Sequence, residues 1–154
     1  MKFLFALVVV LLSATAGLAQ ENEPDAQVER VLGDAASYRQ LFDTLQDAVR
    51  KGDRTAVASL VRFPINVRID GRRRMIADPA GFAANYERIV TPEIAAAITS
   101  QRWEDVHVSQ RGIMLGRGEV WLNGICHDTM CRTFDARVVT IQSVGDAPTH
   151  PTPD

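Results

Sequence analysis

Asp105, His107 and Glu119 are candidates for acid–base chemistry in this 154-residue chain, being of suitable type and falling on expected strands. A general base needs a tuned proton affinity and must reach the proton it removes. Asp105-x-His107 would pair two side chains on one face of a strand. If Val106 and Val108 face helices, however, His107 faces solvent or a rim. Glu119 and Trp121 lie on the strand face opposite Gly118, Val120 and Leu122, unless a bulge at Gly116–Gly118 flips the parity. Turned inward, Glu119 is a buried carboxylate and a functional candidate; turned outward, it is an ordinary surface acid. Tyr38, Tyr86, Trp103 and Trp121 could line an aromatic pocket or simply pack in the core. Arg72-Arg73-Arg74, with Arg62 and Arg68, form a basic cluster on a hairpin. Such a cluster either solvates an edge strand and blocks unwanted pairing, or meets an anionic partner such as lipid headgroups or an acidic protein surface. His107, His127 and His150 have no metal-ligand spacing, so no metal is expected. The chain carries no nucleophile motif, phosphate loop or dinucleotide fingerprint, and no cofactor is expected.

The elements that must position these residues are legible from periodicity. Tyr38, Leu41, Phe42, Leu45 and Val49 make one apolar stripe, which predicts a helix over 35–51 capped by Asp34 and ended by Gly52. Asp53 starts a shorter helix over 54–61, and Pro64 stops it. Ile65, Val67 and Ile69 alternate with polar residues, and Asp70-Gly71 is a two-residue turn, so 63–76 reads as a hairpin. Asp78-Pro79 and Thr91-Pro92 each start a helix, which predicts one that breaks and restarts. Trp103–Ser109 reads as a strand. Gly112–Cys131 reads as one long strand, bent at its glycines, that runs into a hairpin turn. The return strand covers about 132–144, with Val138, Val139 and Ile141 as apolar anchors. Helices followed by antiparallel strands are an α+β arrangement, and the bent strand predicts a strongly curved sheet wrapped around the N-terminal helices.

The two ends read differently. Lys2, the apolar run Phe3–Leu12 and the small residues up to Ala19 predict a secretory leader over 1–19 that is cleaved before Gln20. No cysteine follows the small residues, which argues against a lipid anchor. Residues 20–34 are acidic and read as a mobile segment, and the proline-containing 145–154 as a disordered tail. Loss of Lys2 would take the net charge from −2 to −3. That mild acidity argues against a nucleic-acid binder, and no second apolar run is long enough to span a membrane. In an exported chain Cys126 and Cys131 read as a disulfide across a hairpin; a redox-active pair would favour Cys-x-x-Cys.

Phe63-Pro64 ahead of an alternating strand, a turn with Gly71, Tyr86 in the third helix, and the run Gly112-Ile113-Met114-Leu115-Gly116-Arg117-Gly118-Glu119-Val120-Trp121 resemble exported bacterial members of the nuclear transport factor 2-like superfamily. The resemblance covers about residues 35–144. It implies a cone: helices closing a bent sheet around a pocket. Catalytic members use Asp or His inside the cone as general base, often with Tyr as donor. Other members only bind or assemble, and pairing of two copies through the open sheet face is common. Three functions are therefore expected to compete. The first is an exported, periplasmic or secreted, non-catalytic protein that binds a small apolar ligand or an envelope protein. The second is a cofactor-independent isomerase or lyase acting on an apolar ligand. The third is an immunity or inhibitor-type protein acting through its outer surface.

Overall fold

The computed structural model describes residues 23–146. The predicted leader over 1–19 and most of the predicted tail lie outside them. The chain runs α1 (Glu23–Leu32), α2 (Ala35–Lys51), α3 (Arg54–Ser59), β1 (Ile65–Ile69), β2 (Arg72–Ile76), α4 (Pro79–Ala84), α5 (Tyr86–Ile89) and α6 (Pro92–Thr99). A 3₁₀ turn over Trp103–Asp105 follows, then β3 (His107–Ser109), β4 (Gly112–Leu115), β5 (Val120–Cys126) and β6 (Phe134–Ile141). The fold is α+β. β1 and β2 form a separate two-stranded hairpin, and β3-β4-β5-β6 form an open antiparallel sheet in sequence order. Among the described residues no helix is long and apolar enough to cross a membrane.

Local chemistry explains most of the boundaries. The Asp34 carboxylate accepts the Ser37 N–H at the start of α2, and Gly52, at φ +64°, ends it. Asp53 and Asp78 cap α3 and α4 in the same way, through the Ala56 and Gly81 N–H groups. Asp70 and Gly71 both have positive φ, as a two-residue hairpin turn between right-twisted strands requires. The predicted α2 stripe is buried in full. It packs with α1 and α6 over the inner sheet face, where Val108, Ile113, Leu122 and Val138 stand in one cross-strand row.

Three segments differ from the sequence reading. The expected long strand is two strands. Gly116 (φ +64°) and Gly118 (φ +114°) make a turn between β4 and β5, where Leu115 pairs with Val120. Glycine at positive φ suits a turn as well as a bulge, and here the chain reverses. Trp103–Asp105 is a 3₁₀ turn, not the start of a strand, because the Trp103 ring is drawn into the core. The acidic segment over 20–34 contains α1, whose Val28 is 0 % exposed. The Trp103 indole N–H donates to Asp25 Oδ1 at 2.7 Å and ties α1 to that turn. Asp25→Ala should leave this buried donor unpaired and lower stability by about 1–2 kcal/mol in urea unfolding.

Cys126 and Cys131 form the predicted disulfide. Inside its loop the Asp128 carboxylate accepts the Met130, Arg132 and Thr133 N–H groups, which holds its pKa below the usual range. The bridge closes so short a loop that chain entropy assigns it only about 2 kcal/mol. A Cys126→Ser/Cys131→Ser double variant should therefore stay folded, with an unfolding free energy in urea lowered by about that amount.

Candidate functional site

The acid–base candidates do not converge. Asp105 is exposed and pairs with Arg102 at 3.6 Å, not with His107. His107 is exposed at the start of β3, opposite Met114 on β4. Glu119 is 2 % exposed. Its Oε2 accepts the Arg117 N–H at 2.5 Å, and its Oε1 lies 3.5 Å from Arg117 Nε. Neighbours tie down the same turn: Gln101 Oε1 accepts the Gly116 N–H, and Gln142 Nε2 donates to the Gly118 carbonyl. Glu119 thus points inward, and its contacts are those of a turn-holding carboxylate.

The four aromatic candidates occupy four different environments. Tyr38 is buried on α2 with its ring 5.6 Å from Phe134 and its hydroxyl 3.5 Å from Asn123 Oδ1. Tyr86 packs edge-on to Phe82, and its burial raises the phenol pKa. Trp103 packs edge-on to Phe42, with the Arg39 guanidinium over its ring. Trp121 is half-buried on the opposite, outer face of the sheet, under Arg111 at 5.6 Å.

Burial pushes the Tyr38 phenol up to about 12, against a partial opposing effect of the Gly124 backbone. The folded state therefore holds this proton more tightly than the unfolded chain does. The stabilisation is complete below the unfolded phenol's pKa near 10 and is lost as pH climbs from there toward 12. It amounts to roughly 2–3 kcal/mol. Urea unfolding of wild type and Tyr38→Phe at about pH 9 and about pH 11 should show a steeper alkaline loss for wild type.

Two surfaces remain. The first is a groove of about 380 Å³ between the β1–β2 hairpin and β6, lined among others by Arg62, Asn66, Arg68, Arg73, Thr140 and Gln142. Arg68 and Arg73 face each other across the hairpin, and Asn66 and Met75 share their face. Among the described residues Arg62, Arg72, Arg73 and Arg74 form no ion pair, whereas Arg39, Arg54, Arg88, Arg102, Arg117 and Arg137 all do. The arginines stand out in the sequence, whereas Asn66, Thr140 and Gln142 do not. The alternation of β1 marks Asn66 as outward; nothing local marks the other two.

The second surface is the outer face of the four-stranded sheet. His107, Met114, Trp121 and Thr140 stand in one row across it, and Arg111 lies over Trp121. Three of the four are half-buried, and His107 is exposed. The helices pack on the other face, where Val108, Ile113, Leu122 and Val138 are buried. Among the described residues no group of three or more His, Cys, Asp or Glu side chains converges as a metal site. No protein-family model matches this chain, and neither the curated proteins nor the solved structures offer a match.

Proposed function

We propose that the chain is an exported, non-catalytic binding protein that engages an envelope protein through the outer face of its four-stranded sheet. The observation that carries this reading is the row His107–Met114–Trp121–Thr140 with Arg111 above it. Trp, Met and Arg are enriched at interfaces, and clustered Trp and Arg carry most of the energy where partners dock. A sheet with one face packed on helices and one face holding a half-buried tryptophan has a surface to offer. Export is supported by the leader-like N-terminus and by the Cys126–Cys131 disulfide.

Of the two expected binding modes, a partner is favoured over a small apolar ligand. Tyr38, Leu45, Ile98, Ile113, Leu115 and Leu122 are fully buried between helices and sheet, where a cone would hold its ligand. The isomerase or lyase reading loses its support with the scattering of Asp105, His107 and Glu119. Membership of the nuclear transport factor 2-like superfamily belongs to the same proposal. It rests on the order of helices, hairpin, broken helix and antiparallel strands, and it requires the sheet to bend around α2 as a cone wall.

A photo-cross-linking residue placed at Met114, and as a control at the exposed Asp43 on α2, tests the reading in the exporting cell. A discrete heteromeric product from position 114 alone is expected, weakened at least about tenfold by Trp121→Ala, the scale of one interface anchor. No product at 114 would overturn the proposal. A product of twice the chain's own mass would replace the partner with a second copy.

A further inference from the structure

We infer that the β1–β2 hairpin is a docking site for an anionic phospholipid surface. Five arginines, Arg62, Arg68, Arg72, Arg73 and Arg74, fall within thirteen residues of a chain whose net charge is −2. Electrostatics therefore concentrates positive potential in one place against an acidic background. Four of the five form no ion pair with any described residue. Arg68 and Arg73 are direct cross-strand neighbours, which sets two positive charges side by side on one face of the hairpin.

The geometry favours a lipid surface over an acidic protein. Register places Arg68 and Arg73 on one face of the hairpin and Arg72 and Arg74 on the other, beside the buried Ile69 and Val67. All of these arginines are exposed, so the hairpin presents positive charge spread along its length and not one shaped patch. On the Arg68–Arg73 face Met75 is 67 % exposed. An apolar side chain ringed by arginines is the pattern of an interfacial anchor: the side chain enters the headgroup boundary and the guanidinium groups take the phosphates. Asn66 and Thr140 in the adjoining groove add neutral donors for the phosphate oxygens.

Co-sedimentation with vesicles tests this, using the purified chain without its leader. Binding is expected to vesicles of phosphatidylglycerol mixed with phosphatidylcholine, not to phosphatidylcholine alone, and it should weaken as salt is raised. Arg72→Glu/Arg73→Glu/Arg74→Glu should weaken it by roughly a hundredfold or more, as each surface arginine contributes about fivefold. Met75→Ser should weaken it several-fold while leaving the salt dependence in place. A triple Arg→Gln variant, checked for the wild-type unfolding midpoint, keeps the test valid if the charge-reversed protein does not fold. Equal sedimentation with both vesicle types, or unchanged binding by either triple variant, would overturn the inference. So would loss of vesicle binding in millimolar inorganic phosphate at constant ionic strength, which would assign the groove to a free anion. Thr140 borders both surfaces, but Met114 stands on the sheet and the arginines on the hairpin, so cross-linking from Met114 and vesicle binding can each fail alone.

Discussion

Gly112→Ala is expected to be the most damaging single methyl group that can be added to this protein. Gly112 opens β4 at φ +116°, in backbone territory that L side chains rarely adopt. A Cβ there would meet the Leu122 carbonyl oxygen at 2.1 Å and the Asn123 Cβ at 3.2 Å. The obstacle is the backbone of β5, which is held in the sheet on both sides and cannot swing away as a side chain can. The backbone conformation alone costs about 1–3 kcal/mol, and the collision adds displacement of a central strand. A total loss of at least about 3–4 kcal/mol is expected, a large part of the stability of a domain this size. Gly33 is the control. It too has positive φ, at +72°, but nothing lies within 4 Å of its added Cβ. Gly33→Ala should cost about 1 kcal/mol, the conformational penalty without the collision. Urea unfolding should therefore separate the two variants clearly, and equal midpoints would mean that β4 and β5 do not approach as described.

Glu119→Ala should have the second largest effect, on stability and not on any turnover. The buried carboxylate accepts the Arg117 N–H and faces the guanidinium of the exposed Arg117 across the turn. Its removal strands a backbone donor and leaves a small void, for an expected loss of about 3 kcal/mol. Glu119→Gln keeps an oxygen acceptor in place and should lose only about 1 kcal/mol, the charge-assisted part of the interaction. Hydrogen exchange at the Arg117 amide gives a local readout: protection should survive in the Gln variant and vanish in the Ala variant. If Glu119→Gln were as unstable as Glu119→Ala, the ion pair with Arg117 would be the dominant contact. Arg117 also reaches Glu93 at 3.4 Å, so the turn is linked to the start of α6 through the same guanidinium.

What the sequence determined by itself was everything that neighbours within a few residues decide. The α2 stripe with its Asp34 cap and Gly52 stop, the Asp70-Gly71 hairpin, the proline-marked helix starts and the Cys126–Cys131 bridge all follow from interactions over short stretches of chain. The choice between a bulge and a turn at Gly116–Gly118 did not, because both need glycine at positive φ. It was made by the Glu119 carboxylate folding back on Arg117, with Gln101 and Gln142 closing in from distant positions. Trp103 left its expected strand for the core because Asp25, 78 residues earlier in the chain, offers its indole an acceptor. Convergence of side chains was likewise a tertiary matter. Tyr38, Tyr86, Trp103 and Trp121 are alike in sequence character, yet packing sends them to four environments. The arginines stayed together because a two-residue turn holds them there. Short-range geometry survives folding, whereas long-range proximity is created by it.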